Sequence, residues 1–361
     1  TGAREAADQR VRRAGREPAP PGQEVPNDRA DQAREDDPYV GRVVGLDLHD
    51  LRDGVRHLGR EDEHRHEVEE GRPQHGDARR EHAVAGLAVG RIIAEDWAIA
   101  ACRAYNNWLY EKFTSVSSRI KGMALIPIQD TEAACQELSR AIKDLGMAGA
   151  MLPSNGEGIK GHFGSKIYWP IYEEAEKLGV PLGVHVGALH HLGMDSIGVY
   201  YPVHALGHPF GIMAQAAAML SYGVFDRFPK LRVGFLEGGA TWVPFFMDRL
   251  DRSYPHHLQV DVNGEFLTSS RPSVMASQYF RRHVKEGRIF VGFDCDDRGL
   301  GFAVKEAGNE AFLFATDFPH ESFDADHCRH EINELLDRDD INQADKVAIL
   351  ATNAKRFYGI D

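Results

Sequence analysis

The feature that most constrains the fold of this chain is an alternation of short apolar runs and helical patterns after residue 92. The apolar runs are hydrophobic throughout rather than at every second position, which is typical of parallel strands covered on both faces. Parallel strands need a long crossover between them, and a helix supplies it. Six such runs are present: Gly122–Ile128, Gly149–Leu152, Pro181–Val186, Leu231–Glu237, Arg288–Phe293 and Phe312–Ala315.

Segments with helical spacing of their apolar side chains lie around these strands. Asp130 predicts an N-cap, and Gly179 predicts the end of a helix that begins near Tyr168. Six strand–helix units, with room for two more upstream, predict an α/β fold, a (β/α)8 barrel of the TIM type. A doubly wound open sheet is the alternative, although no GxGxxG motif stands at a strand-to-helix turn. The predicted helices cover residues 97–113, 130–145, 168–178, 209–222, 242–252 and 343–358.

Residues 1–91 differ in composition from residues 92–361. The first segment has sixteen Arg and no Lys, Ile, Phe, Met, Trp, Cys or Ser, and it is rich in Asp, Glu and His. Such a segment cannot bury much apolar surface, so we expect a poorly ordered extension followed by a barrel domain. The same composition is typical of GC-rich DNA translated in a wrong frame, which is a second hypothesis. Two pieces, Val43–Leu48 and Ala83–Val89, have the pattern of strands.

Charge and cysteine content narrow the range of partners. The net charge of −13 argues against a nucleic-acid partner. No apolar run is long enough to span a membrane. The four cysteines are widely spaced, which indicates free thiols in a reducing compartment. We therefore expect a cytoplasmic protein that acts on a small molecule rather than on nucleic acid or a membrane, with a homo-oligomer left open.

Ionisable side chains stand at the ends of four successive predicted strands. They are His185 on the third strand, Glu237 on the fourth, Asp294 with Asp296 and Asp297 after the fifth, and Asp317 after the sixth. The carboxyl ends of barrel strands form the catalytic rim. Burying unpaired charges there is costly, and one divalent metal ion would remove that cost. Imidazole and carboxylate ligands favour zinc, with manganese or iron as alternatives.

The connection after His185 is long and rich in His and Gly, as loops that build substrate pockets often are. His208 stands directly before Pro209, at the predicted start of an apolar helix, where it would face the barrel mouth. His190 and His191 are expected to be solvated loop residues. Upstream, Asp47 and His49 form a DxH pair at the end of a candidate strand, and metal ligation by this pair is one option.

Three motifs in order resemble the amidohydrolase-related family, in the branch of the amidohydrolase superfamily that includes aminocarboxymuconate-semialdehyde decarboxylase. The resemblance covers about residues 95–361, and Asn353–Gly359 is similar to the closing helix of the family. The motifs are Gly183-Val-His185-Val-Gly187, the stretch from Gly223 to Gly239 that contains Arg232-Val-Gly-Phe-Leu-Glu237, and Ala315-Thr-Asp317-Phe-Pro-His320.

The resemblance implies a distorted (β/α)8 barrel with one metal ion, ligated by His185 and Asp317. It also implies that Asp317 moves a proton, assisted by Glu237 or His208. Most members have His at the position of Glu237, and a subgroup has Glu there. The implied reaction is hydrolysis or non-oxidative decarboxylation of a small carboxylate or carbonyl substrate, aromatic acids included. Because the family's first-strand ligand pair has no firm match, an inactive or ligand-binding barrel is the alternative.

Overall fold

Six parallel strands form one sheet in this computed structural model, which describes residues 88–257, 274–294, 296–318 and 325–360. Each strand pairs with the next one along the chain, so the order in the sheet is the order in the sequence. The strands are β1 (Met123–Leu125), β2 (Gly149–Pro153), β3 (Leu182–His185), β4 (Val233–Leu236), β5 (Ile289–Asp294) and β6 (Phe312–Ala315).

Helices alternate with the strands, and their ends follow the predicted signals. Asp130 caps α2 (Thr131–Lys143) by accepting a hydrogen bond from the Ala133 N–H at 3.0 Å. Gly179 ends α3 (Trp169–Leu178) in the left-handed conformation, with φ of +69°. Both predicted signals are confirmed. The α-helices of the described residues are α1 (Glu95–Leu109), α2 (Thr131–Lys143), α3 (Trp169–Leu178), α4 (Tyr200–Ser221), α5 (Val224–Arg227), α6 (Trp242–His257), α7 (Ala276–Lys285), α8 (Leu300–Ala307), α9 (Ala325–Asp337), α10 (Gln343–Val347) and α11 (Asn353–Tyr358).

The predicted α/β barrel architecture is confirmed. A doubly wound sheet reverses its strand order at a switch point, whereas every pairing here is parallel and joins successive strands. The candidate strand Val43–Leu48 lies outside the described residues. The end of the other candidate is not a strand, because Ala88–Arg91 forms a 3-10 helix. The Gln129 amide donates to the Val89 carbonyl at 2.7 Å and ties this helix to the loop after β1.

The strands are buried along almost their whole length, and polar side chains first reach solvent at their carboxyl ends. On β5, every residue from Ile289 to Phe293 is buried, and the next residue, Asp294, is exposed. On β3, His185 is the last residue and the first one that is only partly buried. The carboxyl edge of the sheet is therefore where ionisable groups can meet a ligand.

The prediction for the start of α4 is wrong. A helix was expected from residue 209 because proline favours the first helical turn, but α4 begins at Tyr200 and contains Pro209. Proline inside a helix removes one hydrogen bond. In the part of the helix before Pro209, aromatic rings four residues apart contact each other. The ring centroids are 5.5 Å apart for Tyr200 and His204 and 4.6 Å apart for His204 and His208. His208 therefore lies within the helix rather than before it.

Three of the four cysteines lie in the described residues, and their state agrees with the expectation of free thiols. Cys102, Cys135 and Cys328 are free. Burial, and then the charge of Glu137, raise the pKa of the Cys102 thiol well above its usual range, which keeps it protonated. Within the described ranges, no helix is long and apolar enough to cross a bilayer.

A buried asparagine completes the outer edge of β1, which stands at one end of the strand order. The Asn106 side chain accepts from the Leu125 N–H at 2.8 Å and donates to the Leu125 carbonyl at 2.8 Å. Its amide also donates to Oε1 of Glu137 at 2.7 Å. Asn106 thus makes the two backbone hydrogen bonds that a neighbouring strand would make at this residue, and it ties α1 to the sheet.

Replacing Asn106 with Ala should lower the free energy of unfolding by about 2–4 kcal/mol, because the buried N–H and carbonyl of Leu125 lose their partners. Urea unfolding measures the change. Asn107→Ala is the matched control, since Asn107 is the next residue of α1 and is exposed. A loss no larger in Asn106→Ala than in the control would contradict this role.

A second buried polar group, His283 on α7, lies among arginines. Its side chain is fully buried, its Nε2 is 3.2 Å from Nη2 of Arg282, and its Nδ1 contacts Nη2 of Arg288. Burial, and then the charges of Arg288 and Arg282, lower the pKa of His283 to about 4. The folded protein therefore holds this ring neutral in mildly acidic solution.

We expect His283 to weaken the fold as the pH falls from about 6.5 to about 4. In that window the unfolded chain takes up a proton that the folded ring refuses, so the free energy of unfolding decreases with falling pH, by roughly 3 kcal/mol at most. His283→Gln should flatten this dependence in urea unfolding at pH 7.5, 6 and 5. His256→Gln, an exposed change on α6, should leave it intact. Equal slopes in all three proteins would refute the assignment.

Candidate active site

Five ionisable residues lie around the carboxyl edge of the sheet, and we call this place the catalytic edge: His185, His208, Glu237, Asp294 and Asp317. Its centre is a contact between the residues that end β3 and follow β4. His185 lies opposite Leu236 in the strand register, so Glu237 extends one residue past it. Nε2 of His185 is 2.8 Å from Oε2 of Glu237, and the two side chains are 19% and 24% exposed. On the other side of the ring, Nδ1 donates to the Val186 carbonyl at 2.8 Å. The imidazole is thus held from both sides while remaining reachable from solvent.

Helix α4 is drawn close to the same edge by small and buried polar residues. A Cβ on Gly211 would lie 2.6 Å from Oγ of Ser154, so only glycine permits this approach of α4 to the end of β2. Buried Gln215 donates to the Ser154 carbonyl at 2.8 Å and accepts from the Phe163 N–H at 2.9 Å. These contacts fix the height of α4 above the sheet.

This placement brings His208 to the second oxygen of the same carboxylate. Nδ1 of His208 is 3.5 Å from Oε1 of Glu237, while His185 faces Oε2. Burial is the first cause that lowers the pKa of His208, and the charges of His204 and His185 add to it against the opposing effect of Glu237. Glu237 therefore lies between two imidazoles that titrate differently, which suits the transfer of a proton.

Both acidic residues of the predicted site have strained backbones. Glu237 has φ of +63° and Asp317 has φ of +53°, a region that residues other than glycine seldom occupy. Gly239 has φ of +71° and continues the turn after β4. Strain of this kind collects at functional sites, where the surrounding structure over-determines the conformation.

Two substitutions of Glu237 separate this strain from the chemistry of its side chain. Glu237→Gly and Glu237→Ala both remove the carboxylate, but only glycine adopts the left-handed conformation without strain. The Gly variant should therefore be more stable than the Ala variant by about 1–2 kcal/mol in urea unfolding. Both should lose activity. An Ala variant as stable as the Gly variant would show that the turn carries no strain.

Negative charge is concentrated beside this pair. Asp294 ends β5, and Asp317, two residues after β6, is exposed at the same edge. Desolvation, and then the charges of Asp317, Asp296 and Glu237, raise the pKa of Asp294 to about 6. Carboxylates that oppose each other's ionisation in this way favour a bound cation or a retained proton.

The same charges act on His185. Burial alone would lower its pKa, but the hydrogen bond and charge of Glu237 outweigh burial and raise it. The Val186 carbonyl and the charge of Asp317 act in the same direction. Asp317 therefore belongs to the electrostatic environment of His185, and its role as a metal ligand stays a prediction.

Asp297 has a different task from its neighbours. It accepts hydrogen bonds from the Ala240 N–H at 2.5 Å and the Thr241 N–H at 3.2 Å, and it also bonds the Thr241 hydroxyl. A Cβ on Gly239 would lie 2.9 Å from its Oδ2. Asp297 thus anchors the turn that follows Glu237 and positions the start of α6, so it is a structural acid rather than a reacting one.

The donors at this edge fit a divalent metal in their chemistry. Because Nδ1 of His185 donates to a carbonyl, Nε2 is the nitrogen left for a metal, and it would have to exchange its 2.8 Å contact with Glu237 for the metal bond. Imidazole with carboxylate suits zinc, manganese or iron. In the part of the chain that the structure describes, no group of three or more His, Cys, Asp or Glu side chains is arranged to hold a metal ion. The DxH candidates Asp47 and His49, like His320, lie outside it.

The two loop histidines pair elsewhere. Nε2 of His191 is 3.6 Å from Oε1 of Glu157, and Nδ1 of His190 is 4.0 Å from the same oxygen. The His190 carbonyl also accepts from the Asn155 amide at 3.0 Å. Both rings are substantially exposed, which agrees with the expectation of solvated loop residues.

A comparison with protein families agrees with this geometry. The family model described as Amidohydrolase matches residues 53–360, which include all six strands and the residues of the catalytic edge. The chain belongs to the amidohydrolase family. The resemblance inferred from the His185, Glu237 and Asp317 motifs is thereby confirmed.

Relatives of this amidohydrolase are decarboxylases. The gamma-resorcylate decarboxylase of Rhizobium radiobacter is 30% identical over 286 residues, 76% of this chain and 80% of that protein. The 2-amino-3-carboxymuconate-6-semialdehyde decarboxylase of Dictyostelium discoideum is 25% identical over 263 residues, 71% of this chain and 66% of that protein. A solved dihydroxybenzoic acid decarboxylase from a Polaromonas species, with bound manganese and the inhibitor 2-nitroresorcinol, shares the fold. Its TM-score is 0.58 at 23% identity, covering 76% of this chain and 79% of that chain.

The predicted class, an enzyme of the hydrolase or decarboxylase branch, is confirmed for this amidohydrolase. The structure brings together His185, Glu237 and His208 and links Asp317 to them through charge; their individual roles stay predictions. Two features escaped the sequence analysis. The left-handed turn at Glu237 was signalled only by the two glycines after it, and the raised pKa of Asp294 depends on neighbours that are distant in sequence.

Proposed function

We propose that this amidohydrolase is a divalent-metal-dependent decarboxylase of a small hydroxylated aromatic carboxylate. The observation that carries the proposal is the Glu237 carboxylate held between His185 and His208, at 2.8 Å and 3.5 Å, on the carboxyl edge of the sheet. The relationship to gamma-resorcylate decarboxylase supports decarboxylation rather than hydrolysis.

The reaction requires a proton for each carboxylate that is lost. The bond between the ring carbon and the carboxylate carbon breaks, its electron pair stays on the ring carbon, and carbon dioxide leaves. One proton adds to the same ring carbon and forms the new C–H bond, so that a carboxylate and a proton become an arene and carbon dioxide. A site for this reaction needs a group that gives up a proton at the ring and a route that restores it.

The residues of the catalytic edge can deliver the proton and restore it. We assign proton delivery to Asp317, whose charge acts on both His185 and Asp294. Glu237 and His208, in contact through Oε1 and Nδ1, would restore the proton from the α4 side. His185 and Asp317 would hold the metal, together with ligands outside the described residues. When bound, the metal supplies Lewis-acid polarisation of the substrate oxygens.

The identity of the metal is a separate part of the proposal. Zinc is the prediction from ligand chemistry, whereas the Polaromonas decarboxylase contains manganese. Manganese binds such sites more weakly than zinc does, but carboxylate ligands suit it, and carboxylates predominate at this edge. We therefore propose one divalent ion and place manganese beside zinc as the first ions to test.

We propose 2,6-dihydroxybenzoate, the compound also called gamma-resorcylate, as the first substrate. Hydroxyl groups on both sides of the carboxylate donate electron density to the ring carbon that must accept the proton. The cytoplasmic location and a homo-oligomeric state are kept as predictions from the sequence.

The test is turnover of the full chain reconstituted with manganese or zinc, followed by the ultraviolet absorbance of the substrate. We expect 2,6-dihydroxybenzoate to be consumed and benzoate, which lacks the hydroxyl groups, to be untouched. An anilide and an ester of the same acid test for hydrolysis. Consumption of the ester or anilide alone would support a hydrolase. Binding of 2,6-dihydroxybenzoate without turnover would support the ligand-binding barrel.

A further inference from the structure

A basic cleft lies at the opposite edge of the sheet from the catalytic residues. Its volume is about 360 Å³, and Lys230, Arg232, Glu286, Arg288 and Arg356 are among its lining residues. Arg232 directly precedes β4, and Arg288 directly precedes β5. Five residue steps along β4 lead from Arg232 to Glu237, a distance of about 16 Å. The cleft is therefore a separate place in the fold from the catalytic edge.

Four cations face one carboxylate in this cleft, and one of them neutralises that carboxylate. Nε of Arg288 donates to Oε2 of Glu286 at 3.0 Å, and its other nitrogens contact the Phe225 carbonyl and His283. The donors of Arg288 are thus used in contacts within the protein. Lys230, Arg232 and Arg356 remain as a positively charged group whose side chains form no ion pair within the described ranges, although the Lys230 backbone N–H donates to Oε1 of Glu176.

Arg232 is the most unusual of the three. One of its nitrogens, Nη2, donates to the Gly179 carbonyl at 2.6 Å. Its Nε is buried and has no hydrogen-bond partner within the described residues. Burial lowers the pKa of this guanidinium, with no opposing carboxylate among the causes. A buried donor without a partner is costly.

Arg356 closes the other side of the cleft and is held in place by backbone. Its Nη2 donates to the Lys285 carbonyl at 2.9 Å. A Cβ on Gly287, which has φ of +70°, would lie 2.1 Å from Nε of Arg356, so the guanidinium rests directly on the glycine backbone. The cation is therefore oriented before any ligand arrives, which reduces the entropy lost on binding.

We propose that this cleft binds a small phosphorylated molecule through its phosphate group. Two guanidinium groups and an ammonium match the charge and the several acceptor oxygens of a phosphate monoester. The volume exceeds that of a single phosphate ion and leaves room for the organic part of the ligand. Because the site lies at the amino ends of β4 and β5, it is a ligand site outside the decarboxylation centre.

Calorimetric titration of the full chain at constant ionic strength tests the proposal with inorganic phosphate, phenyl phosphate and malonate as probes. We expect phosphate to bind, phenyl phosphate to bind at least as tightly, and malonate to bind more weakly. Arg356→Gln should weaken binding of phosphate by tenfold or more, the loss expected for a charged hydrogen bond. Arg232→Gln should do the same, but Arg356 is the cleaner site because it is exposed and its loss threatens the fold less.

The matched control is Arg252→Gln on α6, an exposed arginine paired with Asp248 and not part of the cleft lining. It should bind phosphate as the unchanged protein does, and neither this change nor Arg356→Gln should alter decarboxylation. Absence of phosphate binding overturns the proposal. Equal binding in Arg356→Gln and Arg252→Gln places the phosphate elsewhere and also overturns it. Tighter binding of malonate than of phosphate overturns the phosphate assignment.

Discussion

Replacing Asp317 with Asn should lower kcat/KM for decarboxylation by about a thousandfold while leaving the free energy of unfolding nearly unchanged. Asn has the same shape but cannot deliver the proton that the ring carbon requires. The backbone at Asp317 has φ of +53°, and Asn is one of the few residues that tolerates this conformation. Kinetics and urea unfolding of the same preparation measure both quantities.

The charge change gives this substitution a second signature. Because the charge of Asp317 helps to raise the pKa of Asp294, the Asn variant should titrate Asp294 at a lower pH. Asp248→Asn is the control, since Asp248 is an exposed acid on α6 paired with Arg252; it should keep full activity. If Asp317→Asn retains more than about a tenth of kcat/KM, proton delivery by Asp317 is excluded.

Replacing His185 with Ala should remove both metal binding and activity. The variant loses the Nε2 donor that Glu237 faces at 2.8 Å and leaves that carboxylate with His208 as its neighbour. We expect bound metal, measured by elemental analysis after reconstitution and desalting, to fall at least tenfold. That loss corresponds to about 1.4 kcal/mol of binding free energy or more.

His256→Asn, an exposed histidine near the end of α6, is the matched control for nonspecific metal binding and should retain the full metal content. Chelation of the unchanged protein should reproduce the activity loss of His185→Ala, and re-addition of metal should reverse it only in the unchanged protein. A His185→Ala protein that binds metal as well as the control would remove His185 from the ligand set.

The architecture was predictable because hydrophobic burial decides it. The run Phe312–Ala315 is apolar, ends at polar residues and forms β6 with the predicted bounds. The carboxyl ends of parallel strands lie at the same edge of the sheet. The ionisable residues at the ends of β3 and β4 therefore predict where the catalytic edge lies. For this part, the pattern of residues along the chain is sufficient.

The contact between His208 and Glu237 was not predictable in the same way. It depends on the height of α4, which Gly211 sets by its close approach to Ser154, and on a helix that continues through Pro209. The direction of the Glu237 carboxylate depends on a left-handed backbone that propensity disfavours. Such features arise from packing between distant segments, and local sequence patterns do not contain them.

The most direct measurement of the central claim is release of labelled carbon dioxide from 2,6-dihydroxybenzoate that carries carbon-13 in its carboxylate. The full chain, reconstituted with manganese or zinc, should release labelled gas and an equal amount of 1,3-dihydroxybenzene, and Asp317→Asn should release almost none. Absence of labelled gas from a folded protein that binds metal and this substrate would contradict the claim that the edge around His185, Glu237 and Asp317 is a decarboxylation site.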